Sequence, residues 1–242
     1  MSTTPVKQTI VLVHGAYADS LSWNGSINAL RDAGHPVIAA ANPLRGIESD
    51  AAYLRSVLDS IEGPIVIAGH SYGGVVMSHA AEGHPEVTAL VYVASFLAEP
   101  GERLIDLVNQ FPGARLGDAA RAVPYPTPYG GTASDLYIDQ EQFHELFAGD
   151  VDAGIAQQMA VAQRPLALAA FEAPSTRAAW KTIESWVLAA GQDLAVPAAL
   201  SRFMADRANA HLIEVDASHA VTVSQPGVVT DVILQAAEKT AR

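Results

Sequence analysis

A serine stands between glycines in the stretch AGHSYGG, which follows a short apolar run that is typical of a β-strand. The pattern GxSxG centred on Ser71 is typical of a nucleophile held on a tight turn between a strand and a helix. Flanking glycines permit the crowded backbone of such a turn, and the N-terminus of the following helix favours developing negative charge. Glycine and serine are also common turn residues, so a turn serine is the alternative. The pattern predicts a nucleophile if the chain also supplies a base, an acid and oxyanion donors.

A serine hydroxyl needs a base to take its proton, and His219 is the best placed of the eight histidines. It follows the last apolar run, Leu212 to Val215, and precedes the final helical stretch. We therefore expect it in a loop at the sheet edge that carries Ser71. Structural or surface roles are expected for His35, His70, His79, His84, His144 and His211.

The base needs an acid that orients its imidazole, and Asp193 follows the apolar run Ser185 to Ala189 in the segment LAAGQDLAVP. This position places Asp193 at the same predicted sheet edge and in the chain order serine, acid, histidine. Asp216 is nearer to His219 in sequence and stays open as the alternative acid, although it could equally form or cap a turn there.

Two backbone N–H groups are expected to bind the oxygen that becomes negative during acyl transfer. One belongs to Tyr72, directly after Ser71, and the other to Ala16, in the loop after the first apolar run. Gly15 permits a close approach of substrate to this backbone, and Tyr17 is expected to line the same pocket. A plain strand-ending turn is the alternative explanation of the histidine-glycine pair at this point.

Short β-branched runs that alternate with amphipathic segments predict the elements that position these residues. Strands buried on both faces form continuous apolar runs, and helices between them supply right-handed crossovers. The pattern predicts an α/β protein with a doubly wound, mostly parallel sheet. The predicted strands are Thr9 to Val13, Val37 to Ala40, Ile65 to Ala68, Thr88 to Val93, Ser185 to Ala189 and Leu212 to Val215. The predicted helices lie near Leu21 to Ala33, Asp50 to Ile61, Gly73 to Glu82, Ala198 to Ala208 and Pro226 to Ala241.

One long segment, 98–178, interrupts this alternation, since it contains helical patches and a turn-rich stretch but no clear strand. We interpret it as an inserted, mainly helical cap over the carboxyl edge of the sheet. The predicted organisation is a first core part at 1–97, the cap at 98–178 and a second core part at 179–242. An ordinary long excursion without a role in binding is the alternative.

Composition narrows the class of protein and partner. The chain has 242 residues, of which 50% are hydrophobic, so it can bury a sizeable core. No apolar run could span a bilayer and MSTTPVKQ does not resemble a signal peptide, so a cytoplasmic protein is expected. A net charge of −12 argues against nucleic acid and anionic membranes, and the absence of cysteine excludes thiolate chemistry. A neutral or apolar small molecule is the expected partner.

These motifs together resemble the α/β-hydrolase superfamily. The resemblance covers Val6 to Phe96 and Trp180 to Ala241, and it depends on VLVHGA, GHSYGG, GQD and the SHAV loop. HGAYADSLSW followed by GHSYGG is similar to the small branch of plant methylesterases, hydroxynitrile lyases, bacterial carboxylesterases and pyrethroid-hydrolase-like enzymes. The resemblance implies Ser71 as nucleophile, His219 as base, Asp193 as acid, and Ala16 and Tyr72 as oxyanion donors.

The same resemblance separates hydrolases from lyases. Hydroxynitrile lyases of this branch have threonine where this chain has Gly15, and lysine where it has Ala220. A lysine there would hold a cyanide leaving group, and Ala220 carries no charge. Related enzymes with an aspartate nucleophile are disfavoured by Ser71.

The expected function is a serine esterase that cleaves a small, largely apolar ester or lactone through an acyl-enzyme, without metal or cofactor. A C–C hydrolase, an acyltransferase or a lyase with the same triad remains open, as does a non-catalytic ligand-binding protein. The oligomeric state also stays open, with a homodimer as one alternative. Substrate choice is expected to depend on cap aromatics, namely Phe111, Tyr125, Tyr129, Tyr137, Phe143 and Phe147.

Overall fold

A computed structural model of the chain describes residues 7–128 and 130–241. Val6 and Tyr129, which are named above, lie outside these residues. The strands, numbered along the chain, are β1 (Thr9–Val13), β2 (Val37–Ala40), β3 (Ile65–His70), β4 (Val87–Val93), β5 (Ala120–Pro126), β6 (Thr132–Ile138), β7 (Leu166–Ala167), β8 (Ser185–Ala190) and β9 (His211–Val215). The helices are α1 (Asn24–Asp32), α2 (Ile47–Asp59), α3 (Tyr72–Ala81), α4 (Leu104–Val108), α5 (Gln140–Phe147), α6 (Ala153–Ala162), α7 (Leu168–Glu172), α8 (Ala198–Arg207), α9 (Val221–Ser224) and α10 (Pro226–Lys239).

The central sheet has six strands in the order β2-β1-β3-β4-β8-β9, and every pairing in it is parallel. All six predicted strands are present, and the start or end of a predicted strand shifts by two residues at most. Four of them, β1, β3, β4 and β8, are buried along their whole length. Their side chains need an apolar cover on both faces, which explains the continuous apolar runs in the sequence.

Two apolar cores cover the two faces of this sheet. Alternate residues of β1 enter different cores, since Val11 and Val13 pack with α2, α3 and α8, whereas Ile10 and Leu12 pack with α1 and α10. The sheet is therefore doubly wound, as predicted. The five predicted core helices are also present, although the first begins as a short 3₁₀ turn, Ser20–Trp23, before α1.

The cap segment contains both helices and strands. It carries α4 to α7 and an antiparallel sheet of three strands in the order β5-β6-β7. The expectation that this segment lacks strands was therefore wrong. Strand β5 is mostly exposed and contains Pro124 and Pro126, so it shows no apolar alternation. Proline is tolerated there because β5 lies at the edge of its sheet.

Contacts from the core hold the cap sheet in place. The guanidinium of Arg45 lies 2.7 Å from the carboxylate of Asp135 in β6 and donates to the carbonyl of Pro165 at 3.0 Å. The backbone N–H of Ala167 in β7 donates to the carbonyl of Leu44 at 3.0 Å. The cap is thereby fixed beside the loop that enters α2. Among the described residues, no helix is long and apolar enough to cross a membrane.

Candidate active site

Ser71 forms the turn between β3 and α3, with backbone angles of φ 52° and ψ −123°. Positive φ is unfavourable for a residue with a side chain, so neighbouring contacts must hold it. The N–H of Ser71 donates to the carbonyl of Val93 at 3.1 Å, and the hydroxyl of Ser95 donates to the Ser71 carbonyl at 2.6 Å. A Cβ on Gly73 would lie 2.5 Å from the Val13 carbonyl oxygen, so glycine lets α3 begin close to β1.

The structure brings His219 and Asp193 together at the carboxyl ends of β8 and β9. Nδ1 of His219 lies 2.7 Å from Oδ2 of Asp193, and both side chains are buried. Oδ1 of the same carboxylate accepts from the N–H groups of Ala195 at 2.7 Å and Val196 at 2.8 Å. The carboxylate therefore fixes Nδ1 as the protonated ring nitrogen, because only an N–H can donate to it. In the neutral tautomer with this N–H, Nε2 carries the lone pair that can act as a base.

Asp216, the alternative acid, and His70, for which a structural role is expected, have other contacts. Asp216 is exposed and accepts a hydrogen bond from Nε2 of Gln192 at 2.7 Å. Nε2 of His70 donates to the carbonyl of His219 at 2.9 Å, and the two rings are 4.8 Å apart. Burial lowers the pKa of His70 to about 3, so this ring is neutral. His70 thus supports the backbone of His219.

Gly15 and Ala16 lie in the loop after β1, and Gly15 packs against the turn that carries Ser71. A Cβ on Gly15 would lie 2.7 Å from Cβ of Ser71 and 2.8 Å from the His70 carbonyl oxygen, so only glycine fits without a shift. His14 orients this loop, since its Nδ1 donates to the Gly15 carbonyl at 2.9 Å while its Nε2 accepts from the N–H of Asn42 at 3.0 Å. Burial lowers the pKa of His14 to about 4, which keeps this arrangement neutral.

The side chain of Tyr72 is anchored by a residue that the sequence did not indicate. Its hydroxyl donates to Oδ2 of Asp50 in α2 at 2.8 Å. Asp50 is fully buried and also accepts from the N–H groups of Arg45 at 3.0 Å and Gly46 at 3.2 Å. Burial raises the pKa of Asp50, and these hydrogen bonds offset part of that rise. Asp50 falls within a stretch predicted as a helix, so no local signal separated it from a surface residue.

A cavity of about 440 Å³ is lined by Ser71, Ala16, Tyr17 and Tyr72. Gly15 does not line it, in contrast to its predicted role as a substrate contact. Within the described cap, none of the expected aromatics lines the cavity either. Besides Tyr17 and Tyr72, its aromatic lining consists of Phe96 and Phe171. The aliphatic lining includes Leu104, Ile105, Val108, Leu116, Leu136, Ile138, Leu166, Leu168 and Val196.

Phe147, one of the expected cap aromatics, packs against the histidines and not against the cavity. Its ring meets that of His219 edge to face, with 5.0 Å between the centroids, and it lies 6.4 Å from that of His70. Its carbonyl accepts from the N–H of Ala220 at 3.0 Å. The end of α5 therefore covers the loop that carries His219.

Across residues 7–128 and 130–241, no group of three or more histidine, aspartate or glutamate side chains is placed to hold a metal ion. The polar side chains that line the cavity include those of Ser71, Asn109 and Asp118.

Comparison with known proteins identifies the family. The family model described as the alpha/beta hydrolase family matches residues 10–232. A carbendazim-hydrolysing esterase from Nocardioides sp. (strain SG-4G) is 32% identical over 111 residues, which are 40% of this chain and 46% of that enzyme. The alpha/beta hydrolase nvfD of Aspergillus novofumigatus is 22% identical over 96% of this chain and 97% of its own length.

A solved structure shows the same fold. The crystal structure of polyneuridine aldehyde esterase superposes with a TM-score of 0.80 at 20% sequence identity, over 95% of this chain and 99% of that one. The matched proteins are thus named as hydrolases, esterases among them. The chain belongs to the alpha/beta hydrolase family and is similar there to esterases.

Proposed function

We propose that this protein is a serine esterase that cleaves a small, largely apolar carboxylic ester or lactone through an acyl-enzyme. The observation that carries the proposal is the buried pair of His219 and Asp193 at the sheet edge that also holds Ser71. A buried carboxylate that fixes the tautomer of a histidine is the arrangement that activates a serine hydroxyl.

The reaction proceeds in two halves. In the first, Oγ of Ser71 attacks the ester carbonyl while Nε2 of His219 takes its proton, and Asp193 steadies the resulting imidazolium. The tetrahedral intermediate collapses, the bond to the alcohol oxygen breaks, and Nε2 returns the proton to that oxygen. In the second half, water attacks the acyl-enzyme with the same base, which releases the carboxylic acid and restores the serine.

Backbone donors stabilise the negative oxygen of both intermediates. The N–H of Tyr72 lies at the N-terminus of α3, where the helix dipole favours negative charge. The N–H of Ala16 is the second donor, supported by the close packing of Gly15 against Ser71. Such preorganised donors usually contribute the largest single part of the rate enhancement.

The cavity lining supports a neutral and largely apolar substrate. Among the described residues that line it, Asp118 alone carries a formal charge at neutral pH, and it is exposed. A volume of about 440 Å³ suits a small molecule. A carboxylate on the substrate would find no cation there to pair with.

Two observations favour hydrolysis over cyanohydrin cleavage. The threonine of hydroxynitrile lyases would not fit at Gly15, because a Cβ there would lie 2.7 Å from that of Ser71. Ala220, at the position of their lysine, is buried and uncharged. No cation in this loop would hold a cyanide leaving group.

The test is the substitution Ser71→Ala with p-nitrophenyl butyrate as substrate. We expect kcat to fall by about 10⁴-fold or more, with an unchanged circular dichroism spectrum. Ser201→Ala is the matched control, since Ser201 is a buried serine of α8 outside the cavity lining. A fluorophosphonate probe should label the wild type at Ser71 alone. Activity or labelling that survives Ser71→Ala would reject the proposal.

Parallel assays on esters, lactones, β-diketones and cyanohydrins identify the reaction class, and turnover of esters or lactones is the expected result. A cytoplasmic location and the absence of nucleic acid and membrane partners stay predictions. Sedimentation of the purified protein distinguishes a monomer from a homodimer.

A further inference from the structure

A second cavity lies beside the first one. It has a volume of about 300 Å³ and is open to solvent between the loop after β1 and helix α6. Its lining includes the apolar residues Leu21, Ile155 and Met159 and the polar residues Asp19, Asn24 and Gln158. Leu21 is 67% exposed and Ile155 is 46% exposed, so apolar surface faces water at its mouth. We call it the side cavity.

Among the described residues, Tyr17 is the one that lines both cavities. The residue is only 9% exposed, and its ring lies edge to face with that of Phe147, with 6.3 Å between the centroids. Its backbone has φ 60°, which is unfavourable for a residue with a side chain, and its N–H donates to the carbonyl of Arg164 at 2.9 Å. The cap thus holds Tyr17 in place between the two spaces.

Because Tyr17 lines both cavities, we assign its side chain as the barrier between them. Within the described residues, its hydroxyl donates no hydrogen bond to a side chain or carbonyl, and burial raises its pKa. The ring is therefore not held as one member of a polar network. Removal of the ring would join about 440 Å³ beside Ser71 to about 300 Å³ beyond it.

We propose that Tyr17 is a specificity-determining residue that sets the maximum length of one limb of the substrate. The inference depends on the proposed function, because the limb in question extends from the ester carbonyl at Ser71. Its physical basis is burial of methylene groups, each of which changes affinity by about fourfold when it moves from water into an apolar space. A limb that ends against the ring gains nothing from further methylenes, whereas a limb that enters the side cavity does.

The test measures kcat/KM for two ester series with the wild type, Tyr17→Ala and Tyr17→Phe. One series lengthens the acyl chain of p-nitrophenyl esters from acetate to dodecanoate, and the other lengthens the alcohol of acetate esters. We expect Tyr17→Ala to raise kcat/KM for long members by about tenfold or more relative to short ones, in at least one series. Tyr17→Phe, which keeps the bulk, should retain the wild-type length profile.

A blocking substitution tests whether the side cavity itself receives the limb. Ala162 lines that cavity from the exposed end of α6, so Ala162→Trp fills it without touching the space beside Ser71. Ala162→Trp alone should leave activity on short esters unchanged. Combined with Tyr17→Ala, it should restore the wild-type length limit. Tyr17→Leu repeats the measurement with a smaller loss of packing if Tyr17→Ala does not fold.

The outcomes separate this inference from the proposed function. A Ser71→Ala variant without activity, together with a Tyr17→Ala profile that keeps its shape in both series, would overturn the role of Tyr17 alone. A Tyr17→Ala variant that loses the same factor at every chain length would also overturn it, since that indicates a structural role. Activity that survives Ser71→Ala would overturn the proposed function and this inference with it.

Discussion

The hydrogen bonds around Ser71 explain how a strained backbone persists at this position. Its N–H forms a hydrogen bond with Val93 and its carbonyl forms one with Ser95. Its positive φ is a value that otherwise suits glycine. Such strain costs on the order of 1–3 kcal/mol and needs surroundings that determine the conformation. Strands β3 and β4 supply them, because Ser71 and Ser95 follow neighbouring strands of the sheet.

The pair of Asp193 and His219 leads to a prediction at the scale of one residue. Asp193→Asn keeps an oxygen for the N–H groups of Ala195 and Val196 but turns an amide group toward the imidazole. The ring then accepts at Nδ1 and carries its proton at Nε2, so it cannot take the serine proton. We expect kcat to fall by about 10⁴-fold, the magnitude measured for this change in another serine hydrolase.

Asp216→Asn is the matched control for that experiment. Asp216 is exposed and bonded to Gln192, so kcat should stay within about twofold of the wild type. Steady-state kinetics with one p-nitrophenyl ester measures both variants. A large loss in Asp216→Asn with none in Asp193→Asn would show that the acid has been misassigned.

At the scale of elements, helix α2 supports the residue that begins helix α3. The carboxylate of Asp50, near the start of α2, accepts a hydrogen bond from the hydroxyl of Tyr72. It also accepts hydrogen bonds from the N–H groups of Arg45 and Gly46. Arg45 also pairs with Asp135 of the cap sheet. One buried carboxylate thus links the predicted oxyanion donor, the loop before α2 and the attachment of the cap.

Tyr72→Phe tests this link between helices. Loss of a hydrogen bond to a buried carboxylate should lower the free energy of unfolding by about 1.5–3 kcal/mol. If the bond also positions the backbone N–H of Tyr72, kcat should fall by about tenfold while KM stays constant. Urea unfolding and steady-state kinetics measure the two effects separately.

Tyr53→Phe is the control, because Tyr53 lies in α2, the helix that carries Asp50, and is 48% exposed. Tyr53→Phe should change neither the free energy of unfolding nor kcat. A loss of stability in Tyr72→Phe with an unchanged kcat would limit the Asp50 contact to a structural role.

At the scale of the whole molecule, buried histidines make stability depend on pH. Burial lowers the pKa of His14 to about 4 and that of His70 to about 3, from about 6.5 in the unfolded chain. At these two histidines, the unfolded chain therefore binds more protons than the folded protein below pH 6.5. The two histidines stabilise the folded protein fully above pH 6.5. This stabilisation is lost as the pH falls toward their pKa values in the folded protein. Asp50 acts in the opposite direction, because burial raises its pKa.

We therefore expect the free energy of unfolding to decrease between pH 7.5 and pH 5. Each of the two histidines should contribute a slope of about 1.4 kcal/mol per pH unit below pH 6.5. Urea unfolding at several pH values measures the total slope. His70→Gln, which keeps a donor for the His219 carbonyl, should reduce that slope by the contribution of one histidine. An unchanged slope in this variant would contradict the assignment to His70.

Local patterns in the sequence were sufficient for the core fold and for the candidate residues. Apolar runs marked all six core strands, and glycines marked the turns at Ser71 and Gly15. Burial on both faces and crowding at tight turns act over a few neighbouring residues, so they leave a readable local signal. The placement of His219 and Asp193 after late strands followed from the topology of a parallel sheet.

Only the tertiary structure decided which side chains meet. Whether Asp193 or Asp216 reaches His219 depends on the packing of two loops; the sequence favoured Asp193 but left Asp216 open as the alternative. The cap sheet gave no signal, since an exposed edge strand with prolines shows no apolar alternation. The contacts of Asp50 with Tyr72 and of Tyr17 with two cavities join segments far apart in the chain. Such contacts depend on the packing of the whole chain, and no local pattern of residues encodes them.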